Sequence, residues 1–297
     1  MKKKLKGSIL LVLATVIWGS AFVSQRVGMD HIGPFTFQAV RCTMAVLALL
    51  PVILIADRFK KDGKNFFSRW ADPKLWKAGI LCGIPLFLAC NLQQVGLVDI
   101  DAGKSGFLTA MYIVIVPLIA IFLGKKPTIM VPVSVGLAVA GLYFLSCMGT
   151  TTVSLGDLLL LGCALMFAVQ ITMVDQLAQN LDALRLNTIQ AFVCAVLSAL
   201  VMALTETPTL YGIKACMIPL LHTGVLSMGV AYYFQIIGQQ SVESTPATLI
   251  MSLESVFSAI FGVMILQESM TGWEILGSVL VFSAVILSQI PLKAKEK

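Results

Sequence analysis

The chain reads as a succession of long apolar runs separated by short polar gaps. About 20 apolar residues carry a helix across the hydrocarbon of a bilayer. Ten runs approach that length: Gly7 to Val27, Pro34 to Ala56, Leu75 to Val98, Ala102 to Leu123, Ile129 to Cys147, Leu155 to Ala178, Arg185 to Leu204, Ala215 to Gly238, Ser244 to Leu266 and Thr271 to Ile290. The pattern predicts an all-α polytopic membrane protein of ten transmembrane helices. Most gaps are a few residues long. The exception, Asp57 to Lys74, carries Phe59, Phe66, Phe67 and Trp70 among six basic residues, and fits either an interfacial amphipathic segment or a solvated loop.

The same order is written twice. Thr36 to Cys42 reads TFQAVRC, and 152 residues later Thr188 to Cys194 reads TIQAFVC, with Val193 standing where the first copy has Arg41. Gln93 and Gly96 of the third span match Gln235 and Gly238 of the eighth at a spacing of 142, and Gly136 and Gly277 hold similar places in the fifth and tenth. Five spans fall on each side of the uncharged segment Met148 to Leu155, which predicts two repeats, 1–150 and 151–297. An odd number of spans per copy inverts the second relative to the first. Inverted repeats build transporters, because two similar halves facing opposite ways exchange conformations and expose a central site to either side.

Composition narrows the solvent to lipid. Hydrophobic residues make up 58% of the chain and charged residues 12%, against about 25% charged in a soluble domain. The net charge of +6 comes from basic clusters between apolar runs and not from an aromatic-interleaved patch, so it marks topology and no nucleic-acid partner. With both termini in the cytoplasm, seventeen of the 21 basic residues lie inside; Lys104, Lys214 and Arg26 lie outside and Arg41 within a span. The opening MKKKLK and its apolar run are too long for a cleaved signal peptide and form an uncleaved first span. Seven cysteines, odd in number and without a Cys-x-x-Cys pair, read as small, lipid-compatible core residues and not as disulfides. Two histidines without ligand spacing predict no metal site and no cofactor.

Particular motifs carry a family resemblance. Trp18-Gly19-Ser20, Gly103-Lys104-Ser105-Gly106-Phe107-Leu108-Thr109 with Tyr112 and Pro117, Lys126-Pro127-Thr128, Ala231-Tyr232, Pro246-Ala247, Leu253-Glu254, Gly262, and Glu268 followed by Thr271 resemble the EamA-like drug/metabolite transporters over nearly the whole length. The resemblance implies ten helices, cytoplasmic termini and export of small metabolites, amino acids or drugs. Two positions depart from the family pattern. Ser255 stands where members often have the proline that breaks the ninth helix, and Ala21 stands where a polar residue often follows Trp-Gly-Ser.

The candidate substrate-binding residues are Trp18, Ser20, Gln38, Arg41, Gln93, Tyr112, Gln190, Tyr232, Gln235 and Glu254. Arg41 lies seven residues into its span, about 10 Å along the helix. A charge there costs about 2.5 to 3.5 kcal/mol to insert, so it faces a polar cavity or a partner. Gln38, three residues earlier, shares its face. Arg41 fits an anchor for a carboxylate, through the bidentate geometry of guanidinium, or a structural clamp on backbone carbonyls. Glu254, ten residues into the ninth span, fits a site for a substrate amine or a coupling proton, or else a fixed partner of Arg41 or a capped helix break. Aromatic rings and amides suit an amphipathic solute, although many such groups only join helices. Asp157 and Asp175 lie nearer helix ends, where water reaches. Glycines such as Gly19, Gly136, Gly224, Gly229 and Gly277 fit close helix contacts.

The expectation is a plasma-membrane exporter of small metabolites such as amino acids, not an enzyme, working by alternating access around a midplane cavity formed by the first four helices of each half. Its partners are a small-molecule substrate and the lipid bilayer. The alternatives are a lipid-linked or nucleotide-sugar flippase, and more remotely a rhomboid-like intramembrane protease with Ser105 in Gly-x-Ser-Gly and His222 as base.

Overall fold

The computed structural model describes residues 2–60, 65–100, 102–124, 130–146, 154–266 and 271–289. The Lys126-Pro127-Thr128 motif, Glu268, Cys147 and most of the segment between the expected repeats lie outside them. The helices are α1 (Lys2–Gly28), α2 (Pro34–Arg58), α3 (Phe66–Trp70), α4 (Pro73–Gly96), α5 (Ala102–Ala110), α6 (Tyr112–Phe122), α7 (Met130–Ser146), α8 (Leu155–Leu177), α9 (Ala183–Thr205), α10 (Leu210–Ala215) and α11 (Met217–Leu221). A π-helical stretch, His222–Ala231, leads into α12 (Tyr232–Gln239), followed by α13 (Ser244–Met251), α14 (Leu253–Leu266) and α15 (Gly272–Gln289).

Among the described residues, eight stretches are long and apolar enough to cross a membrane, and two shorter apolar helices, Val131–Phe144 and Ile275–Leu287, stand where the fifth and tenth spans were expected. The distribution of side chains fits that solvent. Leu47, Ile55, Leu200 and Ile286 are more than half exposed, while Gln38, Gln94, Gln170, Asn187 and Gln190 are fully buried. With no water in hydrocarbon, polar groups turn inward and apolar ones outward.

Local chemistry sets the helix ends. Proline opens α2 and α4, where its missing N–H costs nothing. Ser154 and Asp157 form a reciprocal capping box at the start of α8. Asp157 is 5% exposed and pairs with Lys104 at 2.7 Å, so it does not simply touch water as expected. Glu206, after α9, accepts from the Phe35 amide at 3.0 Å and the Thr36 amide at 2.8 Å. A carboxylate thereby satisfies free N–H groups at the positive end of α2.

At the other end of the α2 and α9 pair, the Arg185 guanidinium bonds Asp57 and, at 2.9 Å, Asp182, and lies 5.4 Å from the centre of the Trp70 ring. Arg185 is 2% exposed, so a residue counted as a topology marker is also a structural clamp. Burial pushes the Asp182 carboxyl up, but hydrogen bonds from Lys60 and the Arg185 amide outweigh it and hold the group below its ordinary range. Part of the long basic connection folds as α3, with Trp70 packed near Trp76 and with Phe59 and Phe67 exposed.

The main helix pairings recur when the expected halves are exchanged. The first span packs on the eighth and ninth, and the sixth on the third and fourth; the second meets the eighth and the third meets the seventh. The second also packs on the seventh, and α7 on α15, pairs that map onto themselves. Equivalent residues meet there: Cys42 Sγ and Cys194 Sγ are 3.4 Å apart, and Cys90 Sγ and Tyr232 Oη, 142 residues apart, are 3.7 Å apart. These contacts mark a two-fold relation between the copies.

Close approach at this junction depends on missing Cβ atoms. A Cβ on Gly19 would lie 2.5 Å from Phe257 Cβ and 2.8 Å from the Ser258 amide nitrogen, and one on Gly224 would lie 2.8 Å from the Arg41 carbonyl oxygen. Gly136 has nothing within 4 Å of such an atom, so its expected packing role is not realised. Gly19→Ala is therefore expected to destabilise the protein by about 1 to 3 kcal/mol, whereas Gly136→Ala has no clash to relieve and leaves stability unchanged or slightly raised. Thermal unfolding of the two variants in detergent checks the contrast.

Candidate functional site

The expected fourth and ninth spans are each interrupted near their middle. Met111 separates α5 from α6, with the Met111 amide bonding the Leu108 carbonyl at 3.3 Å and the Val114 amide bonding Met111 at 3.1 Å. Ser252 separates α13 from α14, and the Ser255 amide bonds the Ser252 carbonyl at 3.2 Å. These three-residue bonds tighten the helix and break its four-residue ladder. The ninth span breaks without the family's proline. Ser252 Oγ donates to the Leu249 carbonyl at 2.8 Å, and Ser255 Oγ donates to the Gly106 carbonyl at 2.9 Å, tying the two interrupted segments together. Interrupted helices in corresponding places of two halves are where transporters build their sites.

Tyr112 follows the first break directly, and Glu254 lies two residues after the second. The Tyr112 hydroxyl donates to Glu254 Oε1 at 2.9 Å, and both side chains are buried. They line a cavity of about 450 Å³, counting the part open to solvent, together with Trp18, Phe22, Gln25, Arg41, Gln93, Phe167, Ile171, Ser227, Tyr232, Gln235 and Met251. Both halves contribute. Among the described residues, none from α7, α15 or α9 lines it, so the seventh span does not join the wall as expected.

Arg41 is 2% exposed. Its Nη1 donates to Gln25 Oε1 at 2.7 Å, and its Nη2 lies 3.6 Å from Cys90 Sγ. Among the described residues no ion pair joins it to Glu254, so the guanidinium and the carboxylate are held by different partners. The Trp18 ring meets Tyr232 edge-on, with centroids 5.1 Å apart. Gln93 donates to Thr109 Oγ1 at 3.3 Å. Gln235 donates to Gln170 Oε1 at 3.1 Å and to Gln239 Oε1 at 3.0 Å.

Seven of the ten sequence-predicted residues thus share one cavity: Trp18, Arg41, Gln93, Tyr112, Tyr232, Gln235 and Glu254. Three do not. Ser20 bonds the Ile17 carbonyl at 2.8 Å and His222 Nε2 at 3.1 Å. Gln190 donates to Asn187 Oδ1 at 2.8 Å and accepts from Gln170 at 3.3 Å, a support for the wall instead of a part of it. Gln38 is fully buried away from the lining, and among the described residues neither of its amide atoms has a hydrogen-bond partner. Gln25, which holds Arg41, was missed. Its signal was its spacing, since Trp18, Phe22 and Gln25 stand at i, i+4 and i+7 on one helical face.

The protease geometry is not formed. Ser105 Oγ donates to the Ile100 carbonyl at 3.4 Å, whereas the two ring nitrogens of His222 face Ser20 and, at 2.9 Å, Ser24. The nucleophile and base of the alternative reading have other partners.

Comparison with known proteins agrees with this architecture. The model of the EamA-like transporter family matches twice, at residues 5–147 and 154–289. An uncharacterized transporter of Archaeoglobus fulgidus is 33% identical over 287 residues, covering 96% of this chain and 86% of that protein. The uncharacterized transporter YoaV of Bacillus subtilis is 21% identical over 288 residues, covering 94% of each. A solved crystal structure superposes with a TM-score of 0.78 at 17% identity, covering 95% of this chain and 96% of the other, which shows a shared fold.

The bond between Tyr112 and Glu254 gives a direct test of the wall. Removing one partner leaves the other unpaired, so Tyr112→Phe and Glu254→Leu each destabilise by about 1 to 3 kcal/mol. The double variant is expected to lose less than the sum of the two. A double-mutant cycle on thermal unfolding in detergent reads the coupling.

Proposed function

Because the chain belongs to the EamA-like transporter family, and so is a multi-pass membrane transporter, we propose that it exports small metabolites such as amino acids across the plasma membrane by alternating access. Residues 1–150 and 151–297 act as inverted repeats, with both termini in the cytoplasm, where most basic residues then lie. The observation that carries the reading is the cavity between the halves. It holds a guanidinium and a carboxylate that do not pair with each other, framed by aromatic rings and amides and bordered by two interrupted helices. Intramembrane charges without each other as partner serve solutes or protons passing through.

Arg41 is the asymmetric element. Its counterpart, Val193, packs at Gly83, where a Cβ would lie 2.7 Å from the valine Cβ, just as Gly224 admits the backbone at Arg41. The frame is alike on both sides, and the charge is on one. A phosphate-bearing lipid or nucleotide sugar is less well matched, because among the described residues a single basic one lines the space.

Radiolabelled amino acids and related metabolites loaded into proteoliposomes test the proposal. Wild type is expected to exchange at least one of them, and Arg41→Ala to lose the exchange by more than tenfold while inserting normally. Undiminished exchange by Arg41→Ala removes the cavity from the transport path.

A further inference from the structure

The spacing of the cysteines gives no disulfide, but the fold brings two of them together. Cys42 of α2 and Cys194 of α9 are 152 residues apart in the chain, and their sulfurs are 3.4 Å apart. Both are free thiols, fully buried between the two helices. A disulfide holds its sulfurs about 2.05 Å apart, so a small side-chain movement closes the pair.

The helices that carry them are held together at both ends. At one end Glu206, after α9, accepts from the Phe35 and Thr36 amides and, at 2.6 Å, from the Thr36 hydroxyl. At the other end Arg185 pairs with Asp57, and Lys60 pairs with Asp182 at 2.6 Å. Two helices latched on either side of a contact keep the thiols from drifting apart.

The pair also holds a special place in the repeat. Cys42 and Cys194 are equivalent positions of the two copies, so an exchange of conformations between the halves turns their contact into itself. The distance between them is then the same in both states. Contacts between positions that are not equivalent carry no such constraint. Cys90 is one of these: it hydrogen-bonds Cys194 too, but its own equivalent is Tyr232. It also links the thiols to the cavity, because Arg41 and Tyr232 line that space and reach the Cys90 sulfur at 3.6 and 3.7 Å.

We propose that Cys42 and Cys194 are a redox-active pair that a small neutral peroxide closes to a disulfide, stapling α2 to α9 while leaving alternation free. One sulfur attacks a peroxide oxygen; the S–O bond forms, the O–O bond breaks, and the departing hydroxide takes the thiol proton and leaves as water. The second sulfur attacks this sulfenic acid; the S–S bond forms, the S–O bond breaks, and a second water leaves with the remaining proton. Two electrons pass from the sulfurs to the peroxide. The permissive role rests on the alternating-access reading, whereas the thiol pair does not.

Hydrogen peroxide added to the purified protein, followed by alkylation of the remaining thiols and peptide mass spectrometry without reductant, tests the pair. The expected product joins the Cys42 and Cys194 peptides within one molecule. It disappears with dithiothreitol and in Cys42→Ala, and it persists in Cys90→Ala. A link from Cys90 to Cys194 in its place, a link between two molecules, or oxidised sulfur with no link overturns the assignment.

Proteoliposomes loaded with radiolabelled amino acids and related metabolites test the staple. Peroxide-treated wild type is expected to exchange within about twofold of the reduced protein, because the bond fixes a distance common to both states. A loss of tenfold or more that dithiothreitol reverses and Cys42→Ala does not share overturns the permissive role. If reduced wild type moves none of these solutes, the transport reading and the permissive role fall together, and the peptide measurement alone decides the redox pair.

Discussion

The hydrocarbon core offers no hydrogen bonds, so each polar group in a spanning segment is paired inside the protein or faces a cavity. Much of this structure follows from that constraint. An amide chain runs from Asn187, which donates to the Met228 and Gly229 carbonyls of the π-helical stretch, through Gln190 and Gln170 to Gln235 and Gln239. Asn187 thus adds a donor to two carbonyls of the π-helical stretch. The same chain ends at the cavity wall, so the network that satisfies the backbone also orients a lining side chain.

Duplication supplies a frame, and side-chain differences make it a site. Cys42 and Cys194 meet across the two-fold relation at 3.4 Å, and the flanking glycines Gly83 and Gly224 let helices approach on either side. Within this frame Arg41 is matched by Val193, and Cys90 by Tyr232. The differences collect beside the cavity. A symmetric scaffold in which two packings are close in energy is the kind of element that alternates between states.

The scaffold was legible because its signals are long. Twenty-residue apolar runs, and motifs recurring in the same order, survive local irregularity. Site membership was less so. Gln38 is three residues from Arg41, which on a helix is about 60° off its direction, and that rotation takes it out of the lining. Ser20 is two residues from Trp18, about 200° around, and faces His222 instead. The break before Glu254 was not legible, because Ser255 stands where the family's proline would and the serine hydroxyls that bond carbonyls beside the interruption carry no such sequence signal. Arg185 read as a topology marker, since only the fold brings Asp57 and Trp70 to it.

The central claim is that the cavity between the halves opens alternately to the two sides of the membrane. Ser227 lines it, is 2% exposed and carries none of the charges. The direct measurement places a single cysteine at Ser227 in an otherwise cysteine-free protein and follows labelling by a membrane-impermeant thiol reagent from each face of oriented vesicles. The account predicts labelling from both faces, slowed from both by a transported solute. Labelling from one face only, indifferent to solute, would contradict it.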